Sequence, residues 1–149
     1  MDFAKEVTLI PPPKNIFRSH PHYGDCARVF HQACAHWLTT KSKVPFGVIL
    51  TRQNRAKLLE YPKKSPEEPV IEWLLHRIRQ PARERAFGLC YRADVQAQTD
   101  ITVLLVAVQH TKGGSVLNFY VPEDNPQRWW VEEGTDFLNG QKRKPLIGQ

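Results

Sequence analysis

The hydrophobic period of this chain changes at Pro81, and that change limits what the chain can fold into. Before it, Ser65-Pro66-Glu67-Glu68 opens a segment in which Val70, Ile71, Leu74, Leu75 and Ile78 recur at helical spacing. A serine cap, a proline in the first turn and a glutamate three residues after the serine form a capping box. The spacing therefore predicts a helix to about Arg79, stopped by Pro81. After Pro81, Phe87, Leu89, Tyr91, Ala93 and Val95 alternate with Gly88, Cys90, Arg92 and Asp94, the period of a half-buried strand. Ile101 to Gln109 is nearly continuous in apolar residues, which places it centrally with both faces at least partly covered. Lys112-Gly113-Gly114 turns the chain into a third strand, Ser115 to Val121, and Gln127 to Val131 can add an edge strand.

The first half reads as helical for the most part. Asp25 looks like an N-cap, and over Cys26 to Leu38 the residues Val29, Phe30, Ala33, Cys34, Trp37 and Leu38 share one side. Arg28, His31, Gln32, Ala35 and His36 take the other side. Phe46 to Leu50 reads as a short buried strand, and Thr51 to Leu59 as a helical turn or two ended by Tyr61-Pro62. Residues 1–22 form an extended lead-in stiffened by Pro11-Pro12-Pro13, and residues 141–149 a basic, flexible tail. The expectation is a single α+β domain over 1–149, its N-terminal helices packed on a C-terminal antiparallel meander of three to four strands.

At 149 residues and 41% apolar composition, the chain can bury a core without a disulfide or a metal. Its net charge of +6 favours a polyanionic partner such as RNA, DNA or a phospholipid surface, and RNA or DNA is the expectation. Cys26, Cys34 and Cys90 are odd in number and lack a recognisable spacing, which fits free thiols in a reducing compartment. Charged Asp2, Lys5 and Glu6 interrupt the start, and the longest apolar run, Val103 to Val108, is too short to span a bilayer. A cytoplasmic protein with no membrane segment is expected, and no cofactor is implied. Oligomeric state is not legible.

Several residue groups are candidates for chemistry. Cys26 follows a helix start, where a thiolate is favoured, as in papain-like and transglutaminase-like cysteine hydrolases. Its place within the apolar stripe favours packing instead. His20-Pro21-His22 has the look of a metal or nickase motif, but proline between the histidines fits poorly in a strand, and surface histidines are the plainer reading. Arg77, Arg79, Arg83 and Arg85 cluster around the end of the capped helix and are the expected nucleic-acid contacts, with Asn118. On the polar face of the meander, Arg92, His110, Asn118 and Tyr120 converge if the strand registers allow. That set supplies an acid/base, a phosphate clamp and a stacking ring, the needs of phosphodiester cleavage by 2′-hydroxyl attack with no metal. The competing reading has His110 merely ending a strand and Tyr120 packing under a helix.

The layout from Arg52 to Val121 resembles the ribonuclease toxins grouped around barnase, EndoU, colicin nucleases and RelE, which place helices before a four-stranded antiparallel meander. The residues that carry the likeness are Ile78-Arg79-Gln80-Pro81, Cys90-Tyr91-Arg92-Ala93, Thr102 to Val108, and Val116-Leu117-Asn118-Phe119-Tyr120. The resemblance covers about half the chain, and it lacks a barnase-like glutamate base. Together these readings lead to a nucleic-acid-directed protein, a metal-independent endoribonuclease of the toxin type, with His110 as acid/base, Arg92 as phosphate clamp and Tyr120 as stacking or proton-donating partner. The alternatives are a non-enzymatic binding module, such as an accessory protein of a mobile element or an inhibitor of another protein, and a cysteine hydrolase using Cys26.

Overall fold

The computed structural model describes residues 19–41, 44–62, 69–79, 84–96 and 100–134. Its elements in chain order are α1 (Tyr23–Thr40), β1 (Phe46–Leu50), β2 (Ala56–Glu60), α2 (Val70–Arg79), β3 (Ala86–Gln96), β4 (Asp100–His110), β5 (Val116–Pro122), a 3-10 turn (Pro126–Arg128) and β6 (Trp130–Gly134). The strands form one six-stranded sheet in the order β2-β1-β3-β4-β5-β6, antiparallel throughout. The α+β class holds, but the sheet is larger than a three- to four-stranded meander. Its extra members, β1 and β2, lie in sequence between the two helices and extend the meander beyond β3.

The largest departure from expectation is Thr51 to Leu59, read as helical and found as a turn followed by strand. Leu50 pairs with Ala56 and Phe46 with Glu60, so β2 runs back along β1. Arg52, Gln53 and Asn54 make the connection. The Asn54 amide donates to the Thr51 carbonyl at 2.9 Å, and Asn54 takes a left-handed φ of 68°. This is a three-residue hairpin loop, a turn completed by a left-handed residue that asparagine tolerates. Ala56-Lys57-Leu58-Leu59-Glu60 has strong intrinsic helix formers and no alternation, and pairing with β1 overrides that preference.

Strand parity divides the core in two. On one face α1 buries Cys26, Val29, Phe30, Ala33, Cys34 and Trp37 against Val48, Cys90, Leu104, Val106, Phe119 and their neighbours. Phe30 stacks on Phe119 with centroids 4.2 Å apart, and buried Trp129 leans on Phe30 at 5.0 Å. Val29 approaches β3 at Gly88, where a β-carbon would lie 2.6 Å from Val29 Cγ1, so only glycine admits the helix at this depth. On the other face α2 lays Leu74, Leu75 and Ile78 on Phe87, Leu89 and Ala107. Val103 to His110 of β4 is buried along its whole length, as its continuous apolar run requires.

Cys26, Cys34 and Cys90 are free and buried. Among the described residues no helix is long and apolar enough to cross a membrane. The Ser65 to Glu68 capping box, the basic tail and residues 1–18 of the lead-in lie outside the described residues, while residues 19–22, expected to be extended, turn into α1, with the Tyr23 amide donating to the His20 carbonyl at 3.2 Å.

Candidate functional site

Asp25 organises the end of the molecule where α1 begins. The helix starts at Tyr23, two residues before the expected cap, and His22 at the cap position offers no side-chain cap bond. Asp25 is therefore inside the first turn, with its carboxylate directed across to the sheet. His110, the last residue of β4, donates from Nε2 to Asp25 Oδ2 at 2.7 Å. Arg85, just before β3, donates from Nε and Nη2 to the two carboxylate oxygens, each at 3.1 Å. Burial works against the charge of Asp25, but these partners overcome it and hold its pKa below the ordinary value.

Two histidines ahead of the helix complete the cluster. The His22 ring lies parallel to the His110 ring, with centroids 3.9 Å apart and planes 9° apart. His20 is 7% exposed, not a surface residue as its sequence context suggested. Its Nε2 donates to the Ser115 carbonyl at 2.9 Å, and its Nδ1 accepts the His22 amide at 3.0 Å. Gly114, with φ of 91°, makes room for this ring: a β-carbon there would collide with it. The Gly113-Gly114 turn is thus shaped for His20 as well as for reversing the chain.

The hydrogen bonds set the chemistry available to each ring. His110 Nδ1 accepts the Lys112 amide at 3.1 Å while Nε2 serves Asp25, so both nitrogens are engaged and the ring is the neutral Nε2–H tautomer. Burial lowers its pKa, outweighing the pull of Asp25, and His22 and His20 add to the lowering. His20 has the same tautomer by the same logic, and burial lowers its pKa too. His22 is different: its ring is half-buried, lines the cavity and makes no hydrogen bond to a described residue. The cavity has a volume of about 420 Å³ and is lined by His22, Asp25, Arg52, Glu84, Arg85, His110, Thr111 and Lys112. Arg52 comes from the β1–β2 turn and Lys112 from the β4–β5 turn, so four chain segments meet there.

The convergence expected on the sheet does not form. Arg92 and His110 share the α1 face, but Arg92 pairs with Leu104, six residues from His110 along β4, a separation of about 20 Å. Asn118 and Tyr120 pair with Ala107 and Leu105 and so point to the opposite face. Tyr120 stacks on Trp130 at 5.0 Å, and Asn118 is buried, its Oδ1 without a hydrogen-bond partner among the described residues. Arg92 is held by the Glu123 carboxylate through Nε and Nη2. Of the arginine cluster, Arg85 serves Asp25 and Arg77 lies over the Trp73 ring at 5.1 Å. Arg83 and the side chain of Arg79 are outside the described residues.

Cys26 is fully buried, and its thiol is pushed up to about 12, by burial first and then by Asp25. Its sulfur lies 4.0 Å from His20 Nδ1, a nitrogen already taken by the His22 amide. A protonated, enclosed thiol is a packing group, which removes the support for Cys26 as a nucleophile. Among the described residues no three His, Cys, Asp or Glu side chains are placed to hold a metal ion.

From sequence Asp25 reads only as a cap, and His20 and His22 as a metal or nickase motif that yields to surface histidines. The available signal was weak: His20-Pro21-His22 lies just before Gly24-Asp25, and their partners are 85 and 95 residues away in sequence. No protein family, no curated protein and no solved structure matches the chain.

Proposed function

We propose that this is a nucleic-acid-directed protein that cleaves RNA by attack of a 2′-hydroxyl on the adjacent phosphate. The observation that carries the reading is His22: an imidazole with no described hydrogen-bond partner, stacked on a buried neutral histidine, in a cavity that also holds Arg52, Arg85 and Lys112. His22 takes the proton of the 2′-hydroxyl, and Arg52 and Lys112 meet the charge that develops on the phosphate oxygens. The 5′-oxygen leaves with a proton from solvent, and a cyclic phosphate remains. These groups suffice for the reaction without a metal-bound water.

His110 is a positioning residue in this scheme and not the acid/base expected from sequence. It supports the His22 ring and fixes Asp25, which in turn fixes Arg85. Incubation of the purified chain with total RNA in a chelating buffer tests the proposal. Wild type is expected to yield products with cyclic-phosphate ends, and His22→Ala to cut about 100-fold more slowly or worse. Equal rates for the two proteins would sink the catalytic assignment.

A second reading draws on the saturation of His20 and His110, which also suits a rigid anion-binding module. It predicts salt-sensitive RNA or DNA binding with no turnover by wild type.

A further inference from the structure

We infer that the β1–β2 hairpin and α2 form a track for single-stranded RNA leading away from the cavity, which rests on the RNA reading above and specifies its substrate. The track begins at Arg52, the cavity residue on the hairpin turn. Arg55 and Lys57 follow on the face of β2 that carries Leu59 to α2: Lys57 pairs with Ile49 and Leu59 with Gly47. Alternation continues to Tyr61, whose ring meets Trp73 of α2 edge-on at 5.7 Å, and the Arg77 guanidinium lies 5.1 Å over that indole. From Arg55 to Tyr61 the strand covers about 20 Å, enough for several nucleotides.

The contrast with the other arginines gives the track its meaning. Arg85 and Arg92 are each locked on a carboxylate by two hydrogen bonds. Arg55 and Lys57 are exposed and make no ion pair with any described residue. Cations with no ion-pair partner among the described residues, leading from the cavity to aromatic rings, match the combination that binds single strands: charge for the backbone and π-faces for unstacked bases. A duplex keeps its bases stacked inside and cannot use the rings.

The test is fluorescence anisotropy of the purified chain with a short single strand of 2′-O-methyl RNA, which lacks the attacking hydroxyl and cannot be cut. Arg55→Glu with Lys57→Glu is expected to weaken binding at least tenfold. It should also reduce the slope of log affinity against log salt by about 1.4, since each phosphate contact on a single strand contributes about 0.7. Tyr61→Ala is expected to weaken binding about tenfold with the slope unchanged. The same sequence as a duplex is expected to bind more weakly. Unchanged affinity and slope in the charge-reversal variant, with its melting curve matching wild type, overturn the track, as does equal binding of the duplex. The outcomes separate from those of the cleavage assay: binding along the track with no cut in ordinary RNA sinks only the catalytic reading. Cutting of long RNA at wild-type rate by the charge-reversal variant sinks only the track.

Discussion

Two places along the β3–β4 hairpin, its open end and a point past its middle, carry the same chemical device and use it differently. At the open end Arg85 grips Asp25, and farther along β3 Arg92 grips Glu123, both through Nε and Nη2. The Asp25 side chain is 15% exposed, and His110, 2% exposed, shares its carboxylate. Glu123 is more open, and the nearby cavity of about 210 Å³, lined by Trp37, Lys41, Arg92 and Glu123, holds no imidazole. An arginine–carboxylate pair by itself does not mark a site. Enclosure, and the convergence of separate chain segments on the shared carboxylate, distinguish the Asp25 end.

The largest effect on stability is expected from Asp25→Ala, which leaves the His110 N–H and the Arg85 guanidinium without their acceptor. Breaking a fully buried pair costs roughly 3–5 kcal/mol, but Arg85 is 42% exposed and water screens it, so about 2 kcal/mol is expected. Urea denaturation measures it. A loss no greater than that of a typical exposed substitution would erase the distinction between the two places.

Gly114→Ala comes next. It forces a side chain into a left-handed φ of 91° and against the His20 ring. A cost of about 1–2 kcal/mol is expected from strain and overpacking together, read from the same urea curves. RNA cleavage should fall with it, because His20 holds the His22 amide. Normal stability in this variant would show that the glycine turn and the histidine cluster are independent.

Acid should weaken the Asp25 end through its histidines. His20 faces His22, Glu133 and the Ser115 carbonyl, and His110 faces Asp25, His22 and His20. Burial sets the folded pKa of both below 6.5, so the unfolded chain binds these protons more readily. Their contribution is complete above that value and is lost as pH falls below it. Asp25 has the opposite sign of charge and a lower window: its contribution is lost only as pH falls below 3.8. The urea midpoint should therefore drop between about pH 7.5 and pH 5, and His20→Gln should shrink the drop. An undiminished drop in the variant would remove His20 from the account.

Much of the fold is legible in the sequence because it is written locally. The two-residue alternation of Phe87 to Val95 and the unbroken apolar run after Ile101 became β3 and β4. The stripe from Cys26 to Trp37 became the buried side of α1. Residues Ala56 to Glu60 were illegible because their helix preference is overridden by β1, a decision made by pairing. The site was misread for a related reason. Asp25 has the type and position of a cap, and a cap is the local use for an aspartate there. Its actual partners, Arg85 and His110, are 60 and 85 residues away, and no local pattern encodes them. Parity within each strand puts Arg92, His110, Asn118 and Tyr120 in one group. Parity says which residues of one strand share a face, but the register between strands decides whether two strands present those faces together.

The smallest expected effect is also the sharpest test of the comparison. Arg92→Gln removes the charge that sequence reading assigned to the phosphate and that the structure places against Glu123. Arg92 and Glu123 are both accessible to water, so the pair is screened and the lost bond is readily replaced by solvent. Its pKa is raised by the hydrogen bond to Glu123, which keeps an already permanent charge in place and adds no pH dependence near neutrality. Urea midpoint and RNA cleavage rate are both expected to match wild type. A fall in the cleavage rate at unchanged stability would return Arg92 to the phosphate and carry the site about 20 Å along the hairpin, away from Asp25 and His110.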